Sequence, residues 1–102
     1  MSQKLKAMSA ITSKLAKTGE WSIYLLRCSD GCIYTGVAKD VQKRLHQHNH
    51  GRGAKYTRSK SPVHLMAWSP VGSQSEALKL EYQVKRLSRD KKLSLIRHIV
   101  TL

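Results

Sequence analysis

Aliphatic and aromatic residues dominate two short runs, Trp21 to Cys28 and Cys32 to Val37, separated by Ser29, Asp30 and Gly31. Two strand-like runs around a glycine-containing break predict a β-hairpin. A three-residue loop with Gly31 left-handed would set Cys28 opposite Cys32, Leu26 opposite Tyr34 and Tyr24 opposite Gly36, so that Tyr24 and Tyr34 share a face. A two-residue Asp30-Gly31 turn would shift the pairing by one and send the tyrosines to opposite faces. The three-residue loop is the preferred register.

Beyond the hairpin the period changes. Asp40 can cap a helix running to about Asn49, ended by the Gly51 and Gly53 cluster. Val63 to Trp68 reads as a third strand bounded by Pro62 and Pro70. Ser73 and Glu76 have capping-box spacing and open a helix to about Leu87, and Arg89 to Val100 reads as a last helix. The expected fold is α+β, a small antiparallel three-stranded sheet flanked by helices in the order β-β-α-β-α-α. Residues 1–20 carry Lys4, Lys6, Lys14 and Lys17, with Leu5, Met8, Ile11 and Leu15 at loosely helical spacing, and read as a flexible basic tail. The domain is then 21–102.

Two charges fall where a core should lie. Val41, Leu45 and His48 form the apolar stripe of the first helix, and Arg44 projects within about 60° of it at ~100° per residue. That position suits a functional arginine leaning toward the sheet, and equally one snorkelling past apolar neighbours. In the next helix Ala77, Leu78, Leu80, Tyr82, Val84 and Leu87 define an apolar arc that contains Glu81. Lys85, one turn on, offers an i, i+4 partner worth only a few tenths of a kcal/mol. A partly buried carboxylate needs more to offset desolvation, which favours a cation or metal. Tyr24 and Tyr34, taken alone, suit strand packing as well as chemistry.

Charge then narrows the partners. Nineteen Lys and Arg against six Asp and Glu give a formal charge of +13, with a pI near 10.2. Polyanions are the natural ligands, and binding should weaken steeply with salt. The segment GRGAKYTRSK brings Arg52, Lys55, Arg58 and Lys60 together with Tyr56, a composition suited to gripping phosphates and stacking on a base. No apolar run approaches the ~20 residues that span a bilayer and no signal peptide is evident, so a cytoplasmic location without membrane association is expected, with Cys28 and Cys32 as reduced thiols. The cysteines lack a second ligand pair for zinc. His46 and His50 make an i, i+4 pair at a helix end, while His64 and His98 carry little information.

Ser22-Ile23-Tyr24 and Tyr34-Thr35-Gly36 resemble the two halves of the motif that names the GIY-YIG nuclease superfamily. The order continues to match, with Arg44 on the following helix, His48 one turn later and Glu81 on the helix after the third strand. The likeness covers about Trp21 to Val100 and is closest to the small stand-alone members. Ser22 stands in place of the motif's glycine, and Val37 where some relatives have a lysine.

The resemblance implies a metal-dependent DNA endonuclease, structure-specific in repair or recombination. Glu81 would bind one Mg²⁺ or Mn²⁺ and Arg44 would hold the phosphate. Tyr34 would act as general base, Tyr24 would position the water or share the hydroxyl network, and His48 would orient Tyr34 or contact phosphate. Arg52, Lys55, Tyr56, Arg58, Lys60 and Lys85 are candidates for nucleic-acid binding. So small a surface leaves selectivity to DNA shape or to an activating partner protein. The rival readings are a non-catalytic DNA- or RNA-binding module that retains the fold, and a ribosome- or RNA-associated factor.

Overall fold

The computed structural model describes residues 10–15, 20–52 and 60–101. Strands β1 (Trp21–Arg27) and β2 (Ile33–Ala38) form the hairpin, helix α1 (Val41–Asn49) follows, and β3 (His64–Gly72) leads into α2 (Gln74–Lys85) and α3 (Arg89–Thr101). The sheet is antiparallel, ordered β2-β1-β3. Central β1 is covered on both faces, which is why Ser22 through Leu26 are all buried.

Each face of β1 supplies a core. Ile23 and Leu25 pack with Ala67 and Val71 against Ala77, Leu80 and Val84 of α2 and Leu95, Ile96 and Ile99 of α3. Tyr24, Leu26 and Cys28 pack on the opposite side with Val41 of α1 and with Val63. Ile11 and Leu15 are buried in the first of these cores, so these two residues belong to the core and not to a tail. Their helical spacing lets both reach one apolar surface.

The hairpin adopts the three-residue register: Leu26 faces Tyr34 and Tyr24 faces Gly36. Cys28 N–H donates to the Cys32 carbonyl at 2.9 Å, and Gly31 takes φ +86°, the left-handed conformation the loop requires. Asp30 Oδ1 accepts from Cys32 N–H at 3.0 Å, and its other oxygen pairs with Lys60 Nζ at 3.0 Å. From the far side Arg89 donates to the Gly31 carbonyl and ties the start of α3 to the hairpin tip.

Caps set the helix starts. Asp40 accepts from Lys43 N–H, Ser73 and Glu76 form a reciprocal capping box, and Ser88 Oγ accepts from Lys91 N–H. Asn49 closes α1 by gripping the next segment: it accepts from Val63 N–H at 2.7 Å and donates to the Val63 carbonyl at 3.1 Å. The third strand runs past Pro70 to Gly72, longer than its prolines predict. β3 is an edge strand, where proline's missing N–H need not cost a ladder bond. The apolar arc of α2 is narrower than its sequence suggests, with Ala77, Leu80 and Val84 buried while Leu78 and Tyr82 are exposed.

Candidate functional site

The shared face of the hairpin brings two phenols together, and α1 lays an imidazole against them. The ring centroids of Tyr24 and Tyr34 lie 6.4 Å apart, those of Tyr24 and His48 6.0 Å, and those of Tyr34 and His48 5.4 Å, all tilted or edge-on. Such geometry suits the aromatic quadrupole. Tyr24 Oη and His48 Nε2 share a hydrogen bond of 3.0 Å, buried from solvent. His48 is fully buried, which closes phosphate contact to it, and it meets both phenols: its Nε2 bonds Tyr24, and its ring lies edge-on to Tyr34.

This triangle depends on Gly36, which the hairpin register sets opposite Tyr24. A Cβ there would lie 2.4 Å from both Cζ and Oη of Tyr24. The tyrosine ring crosses the strand where a side chain would stand. The register derived from the sequence contained this pairing, but the need for a bare backbone emerges only from the ring's path.

Electrostatics separate the two phenols. Burial, followed by the neighbouring Tyr34, pushes Tyr24 up to about 12; a hydrogen bond and the charge of Arg44 pull the other way, and Glu81 adds an upward push. Tyr24 is therefore a phenol at every physiological pH, a fixed partner and not a base. Tyr34 is half-buried and also raised, first by burial and then by Glu81, while Arg44 lowers it. Arg44 and Glu81 thus act on one phenol with opposite sign.

Burial, reinforced by Arg44, depresses His48 to about 4. Its unfolded value is near 6.5, so the unfolded chain takes up the proton first. Stability from this group is complete above about pH 6.5 and is lost as pH falls toward 4, on the order of 3 kcal/mol in all. Thermal melts between pH 7 and 4.5 are expected to fall more steeply for the parent than for His48→Gln. Equal slopes would contradict a neutral buried imidazole.

Arg44 and Glu81 flank the triangle from separate helices. Arg44 Nη1 donates to Gln47 Oε1 at 3.1 Å, so Gln47 helps to orient the guanidinium. Glu81, one turn beyond buried Ala77, keeps 19% of its side chain exposed and meets Lys85 Nζ at 3.7 Å. Lys85 Nζ also lies 5.6 Å from the centre of the Tyr34 ring.

The remaining candidates scatter. Arg52 is exposed just after α1, and Lys60 is held at the hairpin tip by Asp30. Lys55, Tyr56 and Arg58 lie outside the described residues. His46 and His50 stack at 3.9 Å, with His50 Nδ1 2.8 Å from the His46 carbonyl. No group of three or more His, Cys, Asp or Glu that could hold a metal occurs among the described residues. Glu81 alone fits a hydrated Mg²⁺-type ion, which takes few protein ligands and completes its shell with water and phosphate oxygens.

Residues 20–94 match the family model described as the GIY-YIG catalytic domain. A UPF0213 protein of Staphylococcus aureus (strain N315) is 52% identical over 75 residues, 74% of this chain and 92% of that protein. A UPF0213 protein of Staphylococcus saprophyticus is 53% identical over 74 residues, 72% of this chain and 90% of its own. The solution NMR structure of a protein from E. faecalis is 33% identical, with a TM-score of 0.55 over 86% of this chain and 93% of that one. The family match encloses both tyrosines, Arg44, His48 and Glu81, and the relatives are covered almost end to end: the chain belongs to the GIY-YIG nuclease family.

Proposed function

We propose that the protein is a metal-dependent DNA endonuclease that hydrolyses phosphodiester bonds at the edge of β2. The observation that supports this reading is the half-buried Tyr34 phenol, set between the opposed charges of Arg44 and Glu81 and backed by the Tyr24–His48 pair. That arrangement offers an anion-binding group, a cation-binding group and a proton acceptor at one point.

Glu81 would hold one Mg²⁺ or Mn²⁺, an ion that polarises the scissile phosphate, stabilises the departing 3′-oxygen and offsets the carboxylate's upward push on Tyr34. Arg44, oriented by Gln47, binds the non-bridging oxygens and balances charge as it builds in the transition state. Tyr34 gives up its own proton to solvent, a loss that Arg44 favours and that the bound ion would favour further, and as phenolate it then takes the proton of the attacking water. Tyr24 and His48, both neutral, fix the wall behind it: when Tyr24 donates to Nε2, the imidazole carries its own proton on Nδ1. Selectivity for branched, flap or nicked DNA in repair or recombination follows from shape, since so small a domain offers little surface for reading bases.

The test is cleavage of labelled single-stranded, duplex, flap and branched DNA, beside matched RNA, with Mg²⁺ or with EDTA. The parent is expected to cut DNA only with the metal, and Tyr34→Phe and Arg44→Ala to lower kcat by about 10²-fold. A parent that binds every substrate and cuts none would overturn this reading in favour of a binding module. Preferential cutting of RNA would overturn the choice of substrate.

A further inference from the structure

A second feature lies along the exposed edge of β2, on the side of Tyr34 toward the hairpin tip. It is a pocket of about 360 Å³ lined by Ile33, Tyr34 and Thr35 of the strand, Lys85 of α2 and Lys92 of α3. No acid lines it. Lys92 is half-buried, and burial together with the charge of Lys85 lowers its pKa. Lys85 is met by Glu81 at 3.7 Å, and its positive charge still bears on Lys92.

The floor is unsatisfied. Thr35 is 1% exposed, and its Oγ1 has no hydrogen-bond partner among the described residues. Buried hydroxyls are nearly always paired, and leaving one unpaired costs about 1–3 kcal/mol. The strand adds donors of its own, because every second backbone N–H of an edge strand points away from the sheet. Lys92 is brought here by the link from Arg89 to the Gly31 carbonyl and by the Ser88 cap. Two ammonium groups, a hydroxyl without a partner among the described residues and outward-pointing strand amides call for a compact ligand that only accepts hydrogen bonds.

We propose that this pocket is a phosphate subsite, and that it holds the phosphate next to the scissile one on the bound strand. Lys85 joins the two positions, since its ammonium meets Glu81 and the Tyr34 ring while its side chain lines the pocket. The assignment to a bound strand rests on the nuclease reading, whereas the affinity for phosphate does not.

The probe is inorganic phosphate, titrated into the full ¹⁵N-labelled chain at constant ionic strength. Saturable shifts are expected at the amides of Ile33, Tyr34, Thr35 and Lys92. Lys92→Met should weaken them about tenfold or more. Thr35→Val should weaken phosphate binding while melting no lower than the parent, because the hydroxyl it removes has no partner to lose; a purely structural threonine would lower the Tm. Shifts that never saturate, or that Lys92→Met leaves unchanged, would overturn the pocket.

A second arm scans single neutral methylphosphonates along a short DNA strand in a metal-free binding assay. One position is expected to weaken the parent about tenfold and Lys92→Met less than twofold. If phosphate saturates the pocket and no position shows this coupling, the site takes free phosphate or mononucleotides and the strand assignment falls. Failure of the nuclease reading shows up separately, as a parent that never cuts.

Discussion

Replacing Glu81 by Gln is expected to lower metal-dependent cleavage by at least about 10³-fold while leaving fold and strand binding intact. The size of the effect follows from where the other acids are used. Glu20 pairs with Lys39, Asp30 with Lys60, Asp40 caps α1 and Glu76 closes the box at the start of α2. Asp90 is exposed in the first turn of α3. Four of these five are thus engaged elsewhere. The fold survives because the ion pair lost among the described residues is an i, i+4 contact with Lys85, worth a few tenths of a kcal/mol. Single-turnover cleavage, a melt and strand-binding anisotropy on the same preparation check all three statements. Undiminished cleavage would place the metal elsewhere or the activity in a contaminant.

Gly36→Ala is expected to damage the fold and the site together. The new Cβ would lie 2.4 Å from Cζ and Oη of Tyr24 and 3.0 Å from Cε1, and the ring it strikes is 2% exposed. The ring has to leave its place, which breaks the 3.0 Å bond to His48 and strands an imidazole in the core. Overpacking and an orphaned polar group together cost on the order of 3 kcal/mol, or about 15 °C in Tm. Gly31→Ala is the control: its φ is also positive, but nothing lies within 4 Å of the added carbon, so only about 1 kcal/mol is expected. Urea melts of the two variants should differ clearly in midpoint. Adding Tyr24→Phe to Gly36→Ala should not restore stability, because Cζ is as close as Oη. Equal midpoints for the two glycine variants would mean that the tyrosine ring yields easily.

What could be read from the chain was whatever depends on neighbours in sequence. The hairpin register followed from one glycine in a three-residue loop, and the caps at Asp40 and Ser73 followed from side chains that bond within three residues. Arg44 and Glu81 stood out because a helical period shows which charges crowd a core face, and both flank the phenols. What depends on a third partner stayed hidden. Gly36 matters through the ring laid over it, Pro70 is tolerated because β3 lies at an edge, and Lys92 reaches the site through the Arg89 link. Leu78 and Tyr82 are apolar in sequence yet exposed, because α2 rests on the sheet along the narrow stripe of Ala77, Leu80 and Val84. Ile11 and Leu15 looked like tail residues because they stand ahead of the first strand in a segment rich in lysine, serine and threonine, and only the core they enter shows their role.

The grip of Asn49 on Val63 has a consequence for how this small protein can change. Two short bonds join Asn49, at the end of α1, to Val63, just before β3, and so close the chain between them at its two ends. Doubling the length of such a segment adds only about 0.6 kcal/mol of closure entropy. A change in the number of residues between Asn49 and Val63 is therefore expected to cost the fold little.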